Sequence, residues 1–137
     1  TIPSEAQWEF AAKGGVRSKG YKYAGSDNID EVAWYSENSD DIIHDVMLKL
    51  PNELGIYDMS GNQEEHVLDY YAEYTSDSVI DPVNTTSSQY HVIRGGDYTD
   101  SEGSCTNRRR GANIRYTSYN SYNDGLDCAI RLTLNWN

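Results

Sequence analysis

Cysteine, basic residues and long apolar runs are scarce in this chain of 137 residues, and each shortage excludes a class of protein. Two cysteines, Cys105 and Cys128, are too few for a disulfide-stapled scaffold. No apolar run approaches the roughly 18 residues that a membrane-spanning helix needs. Only 11 Lys and Arg stand against 22 Asp and Glu, a net charge of −11. Because that charge repels phosphates and anionic lipids, we expect no nucleic-acid partner and no membrane insertion.

Tyrosine is the abundant aromatic residue, with 12 Tyr against 3 Trp and 1 Phe. Its rigid ring and hydroxyl suit contact surfaces as well as hydrated cores. The hydrophobic content of 37% and the charged content of 24% are those of an ordinary folded domain. The length predicts one such domain rather than two.

Short apolar segments separated by glycine-rich loops predict an α+β fold with little regular structure. PSEAQWEFAAKGG predicts a short helix, because Ser4 and Gln7 form a capping box and Gly14 ends it. SQYHVIRGG predicts a strand. DCAIRLTL alternates, so we expect a second strand that has its apolar face inward; that face comprises Cys128, Ile130, Leu132 and Leu134.

Four motifs occur in order: IPSEAQWEFAAKGG, YKYAGSDNIDEVAWYSENS, LPNELGIYDMSGN and VIRGGDY…C…AIRL. Together they resemble the formylglycine-generating-enzyme-like family, also called the sulfatase-modifying-factor family. The resemblance implies a single C-type-lectin-like domain over residues 1–137, of the α+β class. Its small twisted antiparallel sheet would carry one or two helices and long irregular loops. The family's N-terminal strand and helix have no counterpart here, so we expect either that this sequence is a piece of a longer chain or that another chain completes the fold.

The family houses copper-dependent oxidases as well as members without that activity. In the oxidases two cysteines five residues apart hold copper, and they correspond to Asp100 and Cys105 here. A carboxylate is a hard ligand and does not replace a thiolate on copper(I). We therefore expect no copper, and Cys105 is catalytic only if the oxidase interpretation holds. Otherwise its thiol fills the core.

The acidic turn DMSGNQEEH corresponds to a segment that binds a structural calcium in the family's enzymes. The resemblance therefore implies a calcium site, and its ligands would be Asp58, Ser60, Gly61, Gln63 and Glu65. Calcium takes six to eight oxygens, which such a turn can supply. The alternative is a solvated acidic loop.

The stretch RRRGANIRYTSYNSYNDGLD alternates tyrosine with small polar residues, as antibody contact loops do. It resembles the hypervariable region of the family's variable proteins, which retroelements diversify. The predicted ligand-binding residues are Asp97, Tyr98, Thr99, Asp100, Ser101, Tyr116, Tyr119, Asn120, Tyr122 and Asn123. An ordinary polar loop is the alternative, and the arginines at 108–110 are expected to anchor these loops to acidic neighbours.

The function expected from these features is a non-catalytic ligand-binding or display domain. Its ligand would be a protein, a small molecule or a glycan. Two alternatives stay open: a copper-dependent oxidase or sulfatase-maturation protein with an altered site, and a structural subunit of a surface assembly. An extracellular or cell-surface location in a prokaryotic or phage source fits all of these functions best.

Overall fold

The computed structural model describes residues 1–76, 78–114 and 128–133. Two helices and four strands lie in them: α1 (Glu5–Ala12), α2 (Ile29–Val32), β1 (Glu64–Tyr70), β2 (Tyr90–Arg94), β3 (Arg110–Ile114) and β4 (Cys128–Ala129). A single 3₁₀ turn, Gly15–Arg17, follows α1. Long irregular connections join these elements, so the predicted α+β class with a small sheet and few helices is confirmed.

Helix α1 begins where the capping box predicts. The Ser4 hydroxyl accepts the Gln7 amide at 3.2 Å, and the Gln7 side chain accepts the Ser4 amide at 3.0 Å. These bonds satisfy amides that a helix start would otherwise leave without partners. The helix ends before Gly14, whose φ of 89° is left-handed. Trp8 and Ala12 point into the core.

The four strands form one sheet in the order β3-β2-β1-β4. Strand β2 pairs antiparallel with both β1 and β3, whereas β4 runs parallel to β1. Burial alternates along β1 with Glu65, Val67 and Asp69 inward. Two of these three inward residues are acidic, so the sheet buries charge against α1 and the C-terminal segment.

The segment after β4, residues 130–133, has its apolar side chains on the opposite side from the prediction. Ile130 is 58% exposed and Leu132 is 74% exposed, while Arg131 between them reaches inward. Within residues 128–133, the pairing with β1 is confined to Cys128 and Ala129. The physical reason is the buried Glu65 carboxylate, because leaving a buried charge without a partner costs more than exposing two aliphatic side chains.

Two apolar clusters hold the fold together. The first packs α1 against the sheet and contains Trp8, Ala12, Ala24, Met59, Val67 and Val92. The second lies around α2 and contains Tyr23, Ile29, Val32, Ala33, Tyr35 and Cys105. No helix in the described ranges has the length and apolar character needed to cross a bilayer.

Candidate functional site

The loop after β2 starts at two glycines with left-handed backbones. Gly95 has a φ of 95° and Gly96 a φ of 71°. A Cβ on Gly96 would lie 2.9 Å from the Ser104 carbonyl oxygen and 3.0 Å from the Cys105 sulfur. The glycine therefore lets the loop close directly over Cys105.

Two of the predicted contact residues, Asp97 and Asp100, also shape the loop through hydrogen bonds. One carboxylate oxygen of Asp97 accepts both the amide and the hydroxyl of Thr99, at 2.7 and 2.8 Å. The Asp100 carboxylate accepts the Asp97 amide at 3.1 Å. The Tyr98 carbonyl accepts the Ser39 hydroxyl at 2.7 Å. These bonds fix the backbone and leave Thr99 and Ser101 exposed.

The rest of the predicted contact surface lies outside the described residues. It comprises Tyr116, Tyr119, Asn120, Tyr122 and Asn123. The structure thus places one half of the predicted surface, the loop 97–101, and the other half stays a prediction.

Cys105 is a free thiol with no exposed surface. Burial raises its pKa to about 12, and the negative charges of Asp100 and Asp97 act in the same direction. A hydrogen bond from the Gly61 backbone opposes them only in part. Since the thiolate is the nucleophile, this raised pKa disfavours Cys105 as a nucleophile at neutral pH. With the Asp100 carboxylate already accepting the Asp97 amide, these two residues do not fit a copper(I) site.

Alkylation provides a test of this burial. With a pKa of about 12, roughly one thiol in ten thousand is ionised at pH 8. We expect iodoacetamide to modify Cys105 in the native protein at least ~100-fold more slowly than in urea, measured by mass spectrometry of the Cys105 peptide. Equal rates in both conditions would contradict the buried thiol.

The acidic turn opens onto a cleft of about 570 Å³, which Asp58, Gln63 and Glu65 line together with Tyr57 and Arg131. The Asp58 carboxylate also accepts the Met47 amide at 2.8 Å. Three of the five predicted calcium ligands therefore share one space.

The Ser60 hydroxyl is used within the fold, so only the Ser60 backbone carbonyl is left as a ligand. The Ser60 side chain is almost fully buried, and its hydroxyl accepts the Ala24 amide at 3.1 Å. Gly61 lies in the turn itself, with a φ of 68°. Within the described part of the chain, no three His, Cys, Asp or Glu side chains form a metal-binding group.

Arg131 and Trp8 reach Glu65, a contact that the sequence did not reveal. The Trp8 indole donates to Glu65 Oε2 at 2.7 Å, and Arg131 Nε lies 3.0 Å from both carboxylate oxygens. Arg131 Nη2 also donates to the carbonyl oxygens of Tyr57 and Asp58, at 3.0 and 3.3 Å. The C-terminal segment is thereby fastened to the acidic turn.

A second ion network joins α1 to the last residue of β2 and the first of β3. The Arg94 side chain is fully buried and donates to Glu5 at 3.3 Å and to Glu9 at 2.6 Å. It also donates to the Asn107 carbonyl at 2.9 Å. Arg110 donates to both carboxylate oxygens of Glu5, at 2.7 and 2.8 Å, and so anchors the loop to an acidic neighbour. The Arg109 guanidinium instead donates to the Arg110 carbonyl. The loop between Arg94 and Arg110 is thus tied at both ends to one helix.

Comparison with known proteins identifies the family of this domain. The family described as "Sulfatase-modifying factor enzyme 1-like domain" matches residues 1–131. The chain belongs to this family. The predicted family and its C-type-lectin-like fold are confirmed by solved structures as well. Treponema denticola variable protein 1 superposes with a TM-score of 0.77 at 35% identity, over 83% of this chain and 42% of that one.

Two curated relatives show the range of the family. The chaperone protein LppX of Paenibacillus barcinonensis is 34% identical over 73% of this chain and 39% of its own length. The formylglycine-generating enzyme of Streptomyces coelicolor is 29% identical over 93% of this chain and 46% of its own length. The sulfatase-modifying-factor-like chain therefore spans less than half the length of these relatives.

Proposed function

We propose that this domain binds a ligand without catalysing a reaction and presents the loop 97–101, together with the tyrosine-rich stretch 116–124, to that ligand. The observation that carries the proposal is the pair Asp100 and Cys105. At the positions of the oxidase cysteines the domain has a carboxylate and a buried, protonated thiol. The same loop is held by internal hydrogen bonds and exposes Thr99 and Ser101.

The similarity to a variable protein supports display as the role of this face. A rigid backbone with exposed small polar residues loses little conformational entropy on binding, which favours recognition. The tyrosine, asparagine and serine residues of 116–124 would add ring area and hydrogen bonds, as in antibody loops. Diversification by a retroelement fits that composition and belongs to the same proposal.

Catalysis and binding are separable by experiment. The protein, loaded with copper(I) under oxygen, is incubated with a sulfatase-type cysteine peptide, and the peptide mass is followed. We expect no change in mass. Conversion of the peptide thiol to an aldehyde would overturn the non-catalytic proposal.

The binding face is tested with two double variants, Thr99→Ala/Ser101→Ala and Tyr119→Ala/Tyr122→Ala. A ligand is first selected from glycan and protein arrays with the unaltered domain. We expect at least one double variant to weaken binding about tenfold or more, at an unchanged melting temperature, since hot-spot side chains dominate such interfaces. Thr86→Ala is the control, because Thr86 is exposed in another loop. Full affinity in both double variants would refute the proposed face.

We further propose that calcium stabilises the acidic turn, with Asp58, Gly61, Gln63 and Glu65 as its ligands. The support is the donor chemistry, because the oxygen-bearing residues Asp58, Gln63 and Glu65 border one cleft. A calcium concentration roughly 100-fold above Kd contributes about 2.7 kcal/mol. Chelation should then lower the melting temperature by on the order of 10 °C. Asp58→Ala should abolish that sensitivity, and an unchanged melting temperature on chelation of the unaltered domain would exclude the site.

A further inference from the structure

One exposed segment, the apolar loop 40–50, carries far more hydrophobic surface than the fold requires. Six large apolar side chains in it are between 54% and 69% exposed. They are Ile42, Ile43, Val46, Met47, Leu48 and Leu50. Single exposed apolar residues are ordinary, whereas a contiguous group marks an interaction surface.

The backbone of the apolar loop is held in place at several points. The His44 amide donates to the Asn62 side chain at 2.9 Å, and that side chain donates back to the His44 carbonyl at 3.0 Å. The Met47 amide donates to Asp58 at 2.8 Å. The Leu50 amide donates to the Glu31 carbonyl at 2.8 Å. The apolar side chains therefore project from a backbone that is held in place, and they stay more than half exposed.

Trp34 provides the support beneath the apolar loop. The His44 ring stacks on it with centroids 3.7 Å apart, and the Lys49 ammonium lies 3.9 Å from the indole centroid. Lys49 also donates to the Asp30 carbonyl at 2.8 Å. The one lysine of the apolar loop is thus turned back onto its own domain and does not neutralise the outer surface.

The charges on that outer surface are negative. Asp40 and Asp41 are exposed just before the apolar residues, and Asp45 is exposed among them. A second copy of the chain would bring like charges together, and a lipid layer would have to accept carboxylates among the inserted residues. A protein segment with both apolar and basic side chains would cover the apolar residues and pair with the carboxylates.

We propose that the apolar loop 40–50 is a docking surface for a cationic amphipathic protein segment. Its apolar residues would cover Val46, Met47 and Leu48, and its lysines or arginines would meet the exposed carboxylates of the loop. The surface continues inward, because Val46 and Met47 form part of the wall of the 570 Å³ cleft beside Ile56 and Tyr57. That cleft is large enough to take side chains of the partner.

A synthetic helix-forming peptide of leucine and lysine is the probe, and its counterpart with glutamate in place of lysine is the peptide control. Binding to the full chain is measured by titration calorimetry at low and high salt. We expect Val46→Ser/Met47→Ser/Leu48→Ser to weaken binding of the lysine peptide by about tenfold or more. Asp45→Asn should weaken it about threefold and reduce its salt dependence. The matched controls Val16→Ser and Ile80→Ser, at positions 90% and 93% exposed, should leave it unchanged.

Four results would overturn the proposal. They are equal binding by the triple variant, equal binding of the glutamate peptide, a dimer that the triple variant loses in sedimentation, and adsorption to phosphatidylcholine vesicles that the same variant loses. Thr99→Ala/Ser101→Ala should retain peptide binding in full. This surface and the proposed ligand-binding face can therefore fail independently of each other.

Discussion

Replacing Arg94 with methionine is expected to lower the free energy of unfolding by about 3–5 kcal/mol, because the change removes the buried donor that Glu5, Glu9 and the Asn107 carbonyl share. Arg94 is fully buried, and its guanidinium contacts Glu5, Glu9 and the Asn107 carbonyl. Methionine fills much of the same volume, so the loss comes from the missing donors rather than from a cavity. Denaturation in urea at neutral pH measures the difference.

The matched control is Arg109→Met, since Arg109 is exposed and its guanidinium donates to the carbonyl of the neighbouring Arg110. This change should alter stability by no more than about 0.5 kcal/mol. Equal effects of the two substitutions would show that the buried network contributes nothing specific.

The effect of Arg94→Met should also depend on pH. Burial by itself raises the pKa of Glu9, but Lys13 and Arg94 together hold it below its ordinary value of 4.5. A lowered pKa stabilises the fold above the unfolded-state pKa, and that contribution disappears as the pH falls through the folded-state pKa. The stability gap between the unaltered domain and Arg94→Met should therefore narrow below about pH 4.5.

Gly61→Ala is expected to be the most disruptive single substitution in the acidic turn, costing about 4 kcal/mol or more. A Cβ at this position would lie 2.1 Å from the Trp34 carbonyl oxygen, and the backbone has a φ of 68°. That carbonyl also accepts the Asn62 amide at 2.7 Å, so it cannot move away without breaking a bond. Thermal melting of the purified variant, or its failure to fold, provides the measurement.

The variants Gly20→Ala and Gly55→Ala separate the cost of a left-handed backbone from the cost of steric overlap. Both glycines have left-handed φ angles, of 79° and 78°, and in the described part of the chain neither has an atom within 4 Å of the added methyl. Each of these two variants should lose only about 1–2 kcal/mol of stability, which is the conformational cost of a left-handed backbone at alanine. If Gly61→Ala behaved like these two, steric overlap with Trp34 would have no part in its effect.

Local features of this fold could be predicted from the sequence, and distant pairings could not. The start of α1 depends on Ser4 and Gln7, three residues apart, so its capping box is visible in the letters. Arg94 and Glu5 are 89 residues apart, and nothing in either neighbourhood indicates the other. The order of the motifs nevertheless indicates the family. These motifs contain the turns that bring residues distant in sequence together.

The same limit applies to the loop after β2 and to the segment after β4. The polarity of Asp97 and Asp100 predicts contact residues, but it does not reveal that their carboxylates accept amides within the loop. Alternation placed Ile130 and Leu132 inward, whereas the Glu65 carboxylate draws Arg131 inward instead. In both cases the deciding factor is a hydrogen-bond partner that a pattern of polarity does not encode.

Some residues in and beside the loop 97–101 fix its backbone, and others form its exposed surface. The loop is therefore a favourable place to build a combinatorial library. Gly96, Asp97 and Asp100 set the backbone path, and the Thr99 amide that completes it belongs to any residue except proline. Randomising Thr99 and Ser101 while keeping those three positions would change what the surface recognises at little cost in folding. Selection can then explore new specificities on an unchanged frame.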